Sequence, residues 1–97
     1  MNDLRIAFCW YQRDEWEKLK ATAADKDDLD DTYDEWKSNA SSAIQDLRDD
    51  GQLIQKVSIK IDQLEAWCEE EGVDNNSQAR SRYAMNLLKN RRSSILA

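Results

Sequence analysis

Proline is absent from this 97-residue chain, and glycine occurs only at Gly51 and Gly72. Proline and glycine are the residues that most readily break helices and form turns, so their near absence favours helices joined by few, short connections. The length corresponds to one small domain over residues 1–97, because domains typically have about 100–150 residues. Apolar residues make up 40% of the chain, which is enough for one modest core.

Two short segments, residues 4–10 and 53–61, alternate in the manner of β-strands. A helix is the alternative for the first segment, because Leu4, Phe8 and Tyr11 are also helically spaced. In the first segment the large apolar residues share one face, and in the second one face is apolar while the other is polar. The first face consists of Leu4, Ile6, Phe8 and Trp10; in the second segment Val57, Ile59 and Ile61 oppose Lys56, Ser58 and Lys60. The second strand is therefore expected to have one covered face and one solvated face.

Two helices are predicted between these strands. Asp14 and Glu17 match a capping box, which places the first helix from Asp14 to about residue 24. The second helix is predicted to begin at Asp27 or Asp28, within an acidic stretch that suits the positive end of a helix dipole. Its apolar residues form a single stripe, and it is expected to stop at Gly51.

Two further helices are predicted after the second strand. Asp62 and Glu65 match another capping box, so a third helix should run from Asp62 to Gly72. A last helix should be capped by a residue within 75–77 and should end near Arg92, with residues 93–97 as a frayed tail.

The order β-α-α-β-α-α predicts an α+β, helix-dominated fold. A helical hairpin between the strands would return the chain to the end it left, which predicts a two-stranded antiparallel sheet covered by helices. An edge strand of such a sheet could also pair with a second copy, so a homodimer is possible on these grounds.

The sequence contains no residue pattern typical of a catalytic, metal-binding or cofactor-binding site. Histidine is absent, no nucleophile or phosphate-binding motif is present, and Cys9 and Cys68 are too far apart for metal or redox spacing. The acidic run 25–31 fails as a calcium loop, since Leu29 and Asp30 fall where an oxygen ligand and a glycine are needed. We expect free thiols, no cofactor and no enzymatic activity.

Membrane insertion is not expected either. The longest apolar run, residues 6–11, is far below the ~20 residues of a membrane span. The short apolar run, the expected free thiols and the lack of a signal-peptide pattern together predict a cytoplasmic protein.

Aromatic residues occur on every predicted helix, as Trp16, Trp36, Trp67 and Tyr83. In a small domain these residues are expected first of all to fill the hydrophobic core, since each ring buries about 150–250 Å². The alternatives are a ligand pocket or cation cage, and an exposed partner surface.

Charge is divided unevenly along the chain. Residues 1–76 hold all 20 acidic residues and have a net charge of −11, whereas residues 77–97 have a net charge of +5. The first interpretation is internal pairing: Arg80 lies within the apolar arc of the last helix and should bind an acid from the second or third helix. Arg91 should complement the helix dipole.

Two other interpretations give the charged residues external partners. Arg82, Lys89 and Arg92 could contact nucleic acid, although the acidic remainder of the chain would repel its phosphates. Alternatively, the acidic segment 25–35 could bind a basic protein or imitate DNA, with four candidate residues: Asp27, Asp30, Asp31 and Asp34. The leading functional prediction is a non-enzymatic protein–protein interaction or regulatory module.

Overall fold

The computed structural model describes residues 5–96 of the chain, with side chains described for residues 5–90. It contains the following elements in chain order: β1 (Arg5–Trp10), α1 (Arg13–Thr22), a short 3₁₀ turn (Lys26–Asp28), α2 (Tyr33–Asp49), β2 (Leu53–Ser58), α3 (Ile61–Glu71) and α4 (Ser77–Leu96). This arrangement confirms a helix-dominated α+β fold with two strands and four α-helices in the described part of the chain.

The two strands are parallel, so the antiparallel prediction is wrong. Their register pairs Arg5 with Leu53 and Trp10 with Ser58. The prediction failed because α1 does not run back along the sheet: it packs against α3, at the end where β1 stops. Only α2 returns the chain, and its 17 residues span about 25 Å, enough to pass a six-residue strand of about 20 Å.

Helix α4 covers one face of the sheet, and α2 covers part of the other. Paired residues of a parallel ladder point the same way, and the Cys9 thiol reaches the Arg80 carbonyl of α4 at 3.3 Å. Ala7, Cys9 and Val57 therefore face α4. The opposite face, with Phe8, Trp10 and Ile54, lies towards α2. The small residues of β1 pack on the main core, because α4 approaches the strand closely there.

The burial of β2 agrees with the predicted alternation over its second half. Val57 and the following Ile59 are buried, while Lys56, Ser58 and Lys60 are exposed. The Ile54 side chain points to the opposite face of the sheet and is also buried, because α2 covers the first half of this strand. The predicted strand end at residue 61 is wrong: β2 stops at Ser58 and Ile61 begins a helix.

The first two helices begin at different residues from those predicted. Gln12 precedes α1, and the Asp14 carboxylate accepts only the neighbouring Glu15 N–H, so no capping box forms with Glu17. Residues 26–28, which include Asp27 and Asp28, form the 3₁₀ turn instead of the start of α2. The Thr32 hydroxyl caps α2 by accepting the Glu35 N–H and donates to the Glu35 carboxylate, so a Thr-x-x-Glu helix start is present that was not predicted from the sequence.

Helix α3 begins at Ile61 without a local side-chain cap, so the Asp62–Glu65 capping box is also wrong. The Ile61 N–H instead donates to the Glu15 carboxylate of α1 at 2.7 Å. Glu15 is buried, so this bond replaces a local cap by a contact between two distant helices. A buried side chain from elsewhere in the fold determines where α3 starts.

Helix ends follow the prediction more closely. Both glycines have positive φ, 90° at Gly51 and 70° at Gly72, which is the backbone conformation that glycine adopts without strain. Beyond Gly72, the Val73 N–H donates to the Cys68 carbonyl at 3.0 Å, as in a Schellman end. Asn76 caps α4 by accepting the Ala79 N–H, within the predicted range. The helix continues to Leu96, beyond the predicted end near Arg92.

The core lies between the α4 face of the sheet and helices α1, α3 and α4. It contains fourteen buried residues: Tyr11, Trp16, Leu19, Ala23, Tyr33, Val57, Ile59, Ile61, Leu64, Cys68, Ala79, Tyr83, Ala84 and Leu88. Two of the four predicted helix aromatics, Trp16 and Tyr83, are fully within it. Trp36 and Trp67 are only partly buried, so these two rings remain partly accessible to solvent.

Candidate functional site

A cleft of about 210 Å³ opens beside β1. Its lining comes from the strand, from the segment after it and from two helices: Ala7, Phe8, Cys9, Tyr11, Trp16, Leu29, Trp36, Ser77, Arg80 and Ser81. Both faces of β1 contribute to this lining, through Ala7 and Phe8, but no residue of β2 does. The cleft therefore lies along the edge of β1 that points away from β2, and we call it the β1-edge cleft.

The main chain of β1 directs hydrogen-bonding groups into this cleft. The Trp10 carbonyl accepts the Ile59 N–H at 3.0 Å, so the peptide groups of the even-numbered β1 residues point towards β2. Those of Ala7 and Cys9 must then point the opposite way, because successive residues of a strand alternate. No other strand in residues 5–96 pairs with this edge. Unpaired strand edges of this kind are templates for a further strand.

Two walls enclose the strand edge. On the α4 side the wall is polar, with Ser77, Ser81 and the buried Arg80. On the other side Leu29 and Trp36 form an apolar wall, and both are only partly buried. The cleft therefore offers one polar side and one apolar side to whatever occupies it.

Arg80 is held in place by a dense set of hydrogen bonds. Its two terminal nitrogens each donate to one oxygen of the Asp25 carboxylate, both at 2.9 Å. One of them also donates to the Asn75 side-chain oxygen at 3.0 Å. The Arg80 side chain is 8% exposed and that of Asp25 is 18% exposed. The predicted pairing of Arg80 is confirmed, but its partner lies in the loop after α1 and not on the second or third helix.

Two titratable groups that line the cleft, Cys9 and Tyr11, have pKa values raised by burial. Burial raises the pKa of the Cys9 thiol above its usual value. Burial likewise raises the pKa of the Tyr11 hydroxyl. Both groups therefore stay protonated near neutral pH. The Cys9 thiol donates its hydrogen bond to the Arg80 carbonyl, and both cysteines are free.

The acidic segment 25–35 borders the cleft, because Leu29 lies in its middle and lines the apolar wall. Its carboxylates do not form one uniform array. Asp25 forms an ion pair with Arg80, and Asp34 forms one with Arg13 at 2.8 Å. Asp27 and Asp31 are exposed, and Asp30 is partly buried. This broken array resembles a row of DNA phosphates poorly, but Asp27, Asp30 and Asp31 belong to the loop whose Leu29 lines the cleft.

The basic residues of α4 lie elsewhere. Arg82 forms an ion pair with Glu71 at 2.9 Å and stacks over the Trp67 ring at 5.3 Å. Lys89 is exposed and, among the described side chains, lies within ion-pair distance of no carboxylate. The side chains of Arg91 and Arg92 fall outside the described residues. The structure therefore does not bring Arg82 and Lys89 together with the acidic segment, and Arg82 is already occupied internally.

The strand edge is the feature that the sequence interpretation did not locate. It named an edge strand and an aromatic pocket as separate alternatives, and the structure places both at one cleft. The residues that join them, Leu29 and Ser81, lie on different elements and show no common spacing. Only the alternation along β1, with the small residues Ala7 and Cys9 between large ones, indicated close helix packing on one side.

Metal-binding clusters and membrane-spanning helices were sought in the described part of the chain. Residues 5–96 hold no cluster of three His, Cys, Asp or Glu side chains arranged to bind a metal ion. None of the described helices combines the length and the apolar character needed to cross a membrane.

No protein-family model, curated protein or solved structure is significantly similar to this chain.

Proposed function

We propose that this protein is a non-enzymatic cytoplasmic interaction module that binds an extended, basic segment of a partner protein at the β1-edge cleft. The segment would add to the sheet as a third strand beside β1. The observation that carries this proposal is the position of the cleft, which lies along the unpaired strand edge and is walled on both sides. Main-chain hydrogen bonds to Ala7 and Cys9 would supply affinity, and the two walls would select side chains.

The shape of the cleft favours a single strand over a second copy of the whole domain. Trp36 lines one side of the cleft and Ser77 and Ser81 line the other, so the strand edge lies between residues of α2 and α4. Two such domains would bring their flanking helices together before their β1 strands reached the ~4.8 Å spacing of a sheet. A peptide segment has no flanking helices and meets no such obstruction. The homodimer therefore remains the less favoured occupant of this edge.

Charge favours a basic segment. Asp27, Asp30 and Asp31 lie in the loop that borders the cleft and form no ion pair with a described side chain. Arg80, the cation in the cleft wall, is neutralised by Asp25. A segment rich in lysine or arginine would therefore be attracted to the mouth of the cleft, and the attraction would weaken with added salt.

Selection from a displayed library of random nine-residue peptides would test the proposal. We expect enriched sequences to be basic, to alternate apolar and polar residues and to lack proline at central positions. Binding should slow hydrogen exchange at the Ala7 and Cys9 amides, because a third strand would cover them.

A cleft-filling variant provides the control for this selection. Ser81→Trp adds a large ring at an exposed position of the cleft wall and should abolish capture of the selected peptides. Ser42→Trp places the same ring on an exposed position of α2 outside the cleft and should not. Selected peptides that bind both variants equally, or that protect no amide of β1, would overturn the proposal, as would stable dimers that Ser81→Trp dissociates.

A further inference from the structure

We infer that Arg48 and Gln55 close the second edge of the sheet, so that the chain does not pair with another copy of itself along β2. This edge, which we call the β2 outer edge, is the side of β2 that points away from β1. The inference goes beyond the proposed function, because it holds whether or not a segment binds at the β1-edge cleft.

The register of the sheet identifies the main-chain groups on the β2 outer edge. The Ile59 N–H donates to the Trp10 carbonyl, so the odd-numbered residues of this segment direct their peptide groups towards β1. Successive residues of a strand alternate, and the peptide groups of Ile54, Lys56 and Ser58 therefore point outwards. No other described strand pairs with them. An unprotected row of such groups is a template for a strand from another molecule.

Side chains already occupy two carbonyls of this edge. One terminal nitrogen of Arg48 donates to the Ile54 carbonyl at 3.2 Å. The Gln55 side-chain nitrogen donates to the Lys56 carbonyl at 3.3 Å, and the Gln55 side-chain oxygen accepts a bond from Arg5 at 3.4 Å. An added strand would have to place an N–H about 2.9 Å from the same carbonyl oxygens. Arg48 and Gln55 therefore compete with any added strand for its acceptors.

The connection between α2 and β2 holds Arg48 beside the edge. The Gly51 N–H donates to the Arg48 carbonyl at 2.9 Å, and the Gln52 N–H donates to the Leu47 carbonyl at 3.0 Å, so α2 ends in a tight turn. Strand β2 begins at the next residue, which places Ile54 only six residues after Arg48. Arg48 forms no ion pair with a described side chain that would draw its guanidinium elsewhere. The contact with the strand is therefore a direct consequence of how the chain leaves α2.

The free edge of β1 lacks this protection. Among the described residues, no side chain donates to the carbonyl of Ala7 or Cys9. The two edges of one small sheet are thus treated differently, because the fold occupies acceptors on β2 and leaves those of β1 available.

A second copy of the chain is the partner that an open β2 outer edge would take. Every copy has the same row of main-chain groups, and pairing between strand edges needs no complementary side chains. Leu53, at the start of β2, is 57% exposed, so pairing would also remove apolar surface from water. Loss of the two side-chain contacts should therefore appear as self-association.

Removal of both side chains tests this inference. Arg48→Ala combined with Gln55→Ala should lower the dissociation constant for dimerisation by about tenfold or more, because two carbonyls become available for strand pairing. Sedimentation equilibrium over a range of protein concentrations measures this change. Hydrogen exchange at the Ile54 and Lys56 amides should slow as the dimer forms, since these amides would face the added strand.

Lys37→Ala combined with Gln45→Ala removes the same two kinds of side chain from exposed positions of α2 and should behave like the unmodified protein. Tryptophan fluorescence establishes that each variant is folded, and Arg48→Ala alone serves as the test if the double variant unfolds. A variant that stays as monomeric as this control would overturn the inference, as would association that leaves the Ile54 and Lys56 amides exchanging as before. Dimers of the unmodified protein in which those amides are protected would overturn it as well.

Discussion

Arg80 of α4 and Asp25 of the loop after α1 form a two-point pair, in which each terminal nitrogen of the guanidinium donates to one carboxylate oxygen at 2.9 Å. The Asn75 side-chain oxygen accepts a further bond from the same guanidinium. This contact attaches the acidic loop to the last helix. It also neutralises the cation in the wall of the β1-edge cleft, so the pair contributes both to the fold and to the charge of the candidate site.

Replacement of Arg80 by alanine should lower the free energy of unfolding by ~1–3 kcal/mol, because the Asp25 carboxylate would lose its partner in a poorly solvated position. Arg80→Lys should recover only part of the loss, since an ammonium cannot form the planar two-point pair. Urea unfolding followed by tryptophan fluorescence measures both. Equal stability of Arg80→Ala and the unmodified protein would show that the pair contributes nothing net.

Acid should weaken the same pair. The hydrogen bonds from Arg80 hold the pKa of Asp25 below its usual value. The unfolded chain therefore binds the proton more readily, so the contribution is complete above the ordinary aspartate pKa of about 3.9 and is lost as pH falls through the lower folded value. Urea unfolding from pH 6 down to pH 2.5 should show this loss. In Asp25→Asn the acid-side decline should be shallower, and parallel curves for the two proteins would contradict the assignment.

Glu15 should stabilise the fold through the start of α3. Its buried carboxylate accepts the Ile61 N–H at 2.7 Å, so Glu15→Ala leaves that amide without its partner and should cost ~1–3 kcal/mol. Glu15→Gln keeps an acceptor oxygen and should cost less. Glu17→Ala, at an exposed position of the same helix, should change stability by less than about 0.5 kcal/mol. Thermal unfolding of the three variants would contradict this role if Glu15→Ala and Glu17→Ala behave alike.

The Cys9 thiol should react slowly in the folded protein. Burial raises its pKa and so reduces the thiolate fraction, which is the reactive form. In a Cys68→Ser background, alkylation by iodoacetamide at pH 8 should be slower by about tenfold or more than in urea. Addition of a cleft-binding peptide should slow it further, since Cys9 lines the cleft. A folded rate equal to the unfolded rate would show that the thiol is open to solvent.

Local structure was predictable where all the residues that determine it lie within one short segment. The glycines at 51 and 72 terminate helices because their backbone conformation is favourable for glycine wherever they occur. The alternation of Val57 with Lys56 and Ser58 likewise predicts which face is buried in the second half of β2. The Thr32 cap of α2 belongs to the same category, since Thr32 and its partner Glu35 lie within four residues.

The candidate site was not predictable in this way. Asp25 and Arg80 lie on distant segments, and no local spacing relates them. The sequence interpretation anticipated that Arg80 needs an acid, because an arginine in an apolar arc must be paired. It could not choose among twenty acids. The β1-edge cleft similarly combines Leu29, Trp36 and Ser81, which come together only when α2 and α4 pack on opposite faces of β1.

The sequence by itself determined the helix-dominated α+β class, the order of the elements and the division between an acidic body and a basic end. These properties follow from periodicity and composition, which act over a few residues at a time. Only the tertiary structure decided that the strands are parallel and that an aromatic wall meets, at one cleft, a strand edge with which no described strand pairs. The reason is that α1 packs against α3 at the end of the sheet, with the Glu15 carboxylate holding the first amide of α3. That contact joins residues far apart in the chain, and it leaves α2 alone to carry the chain back.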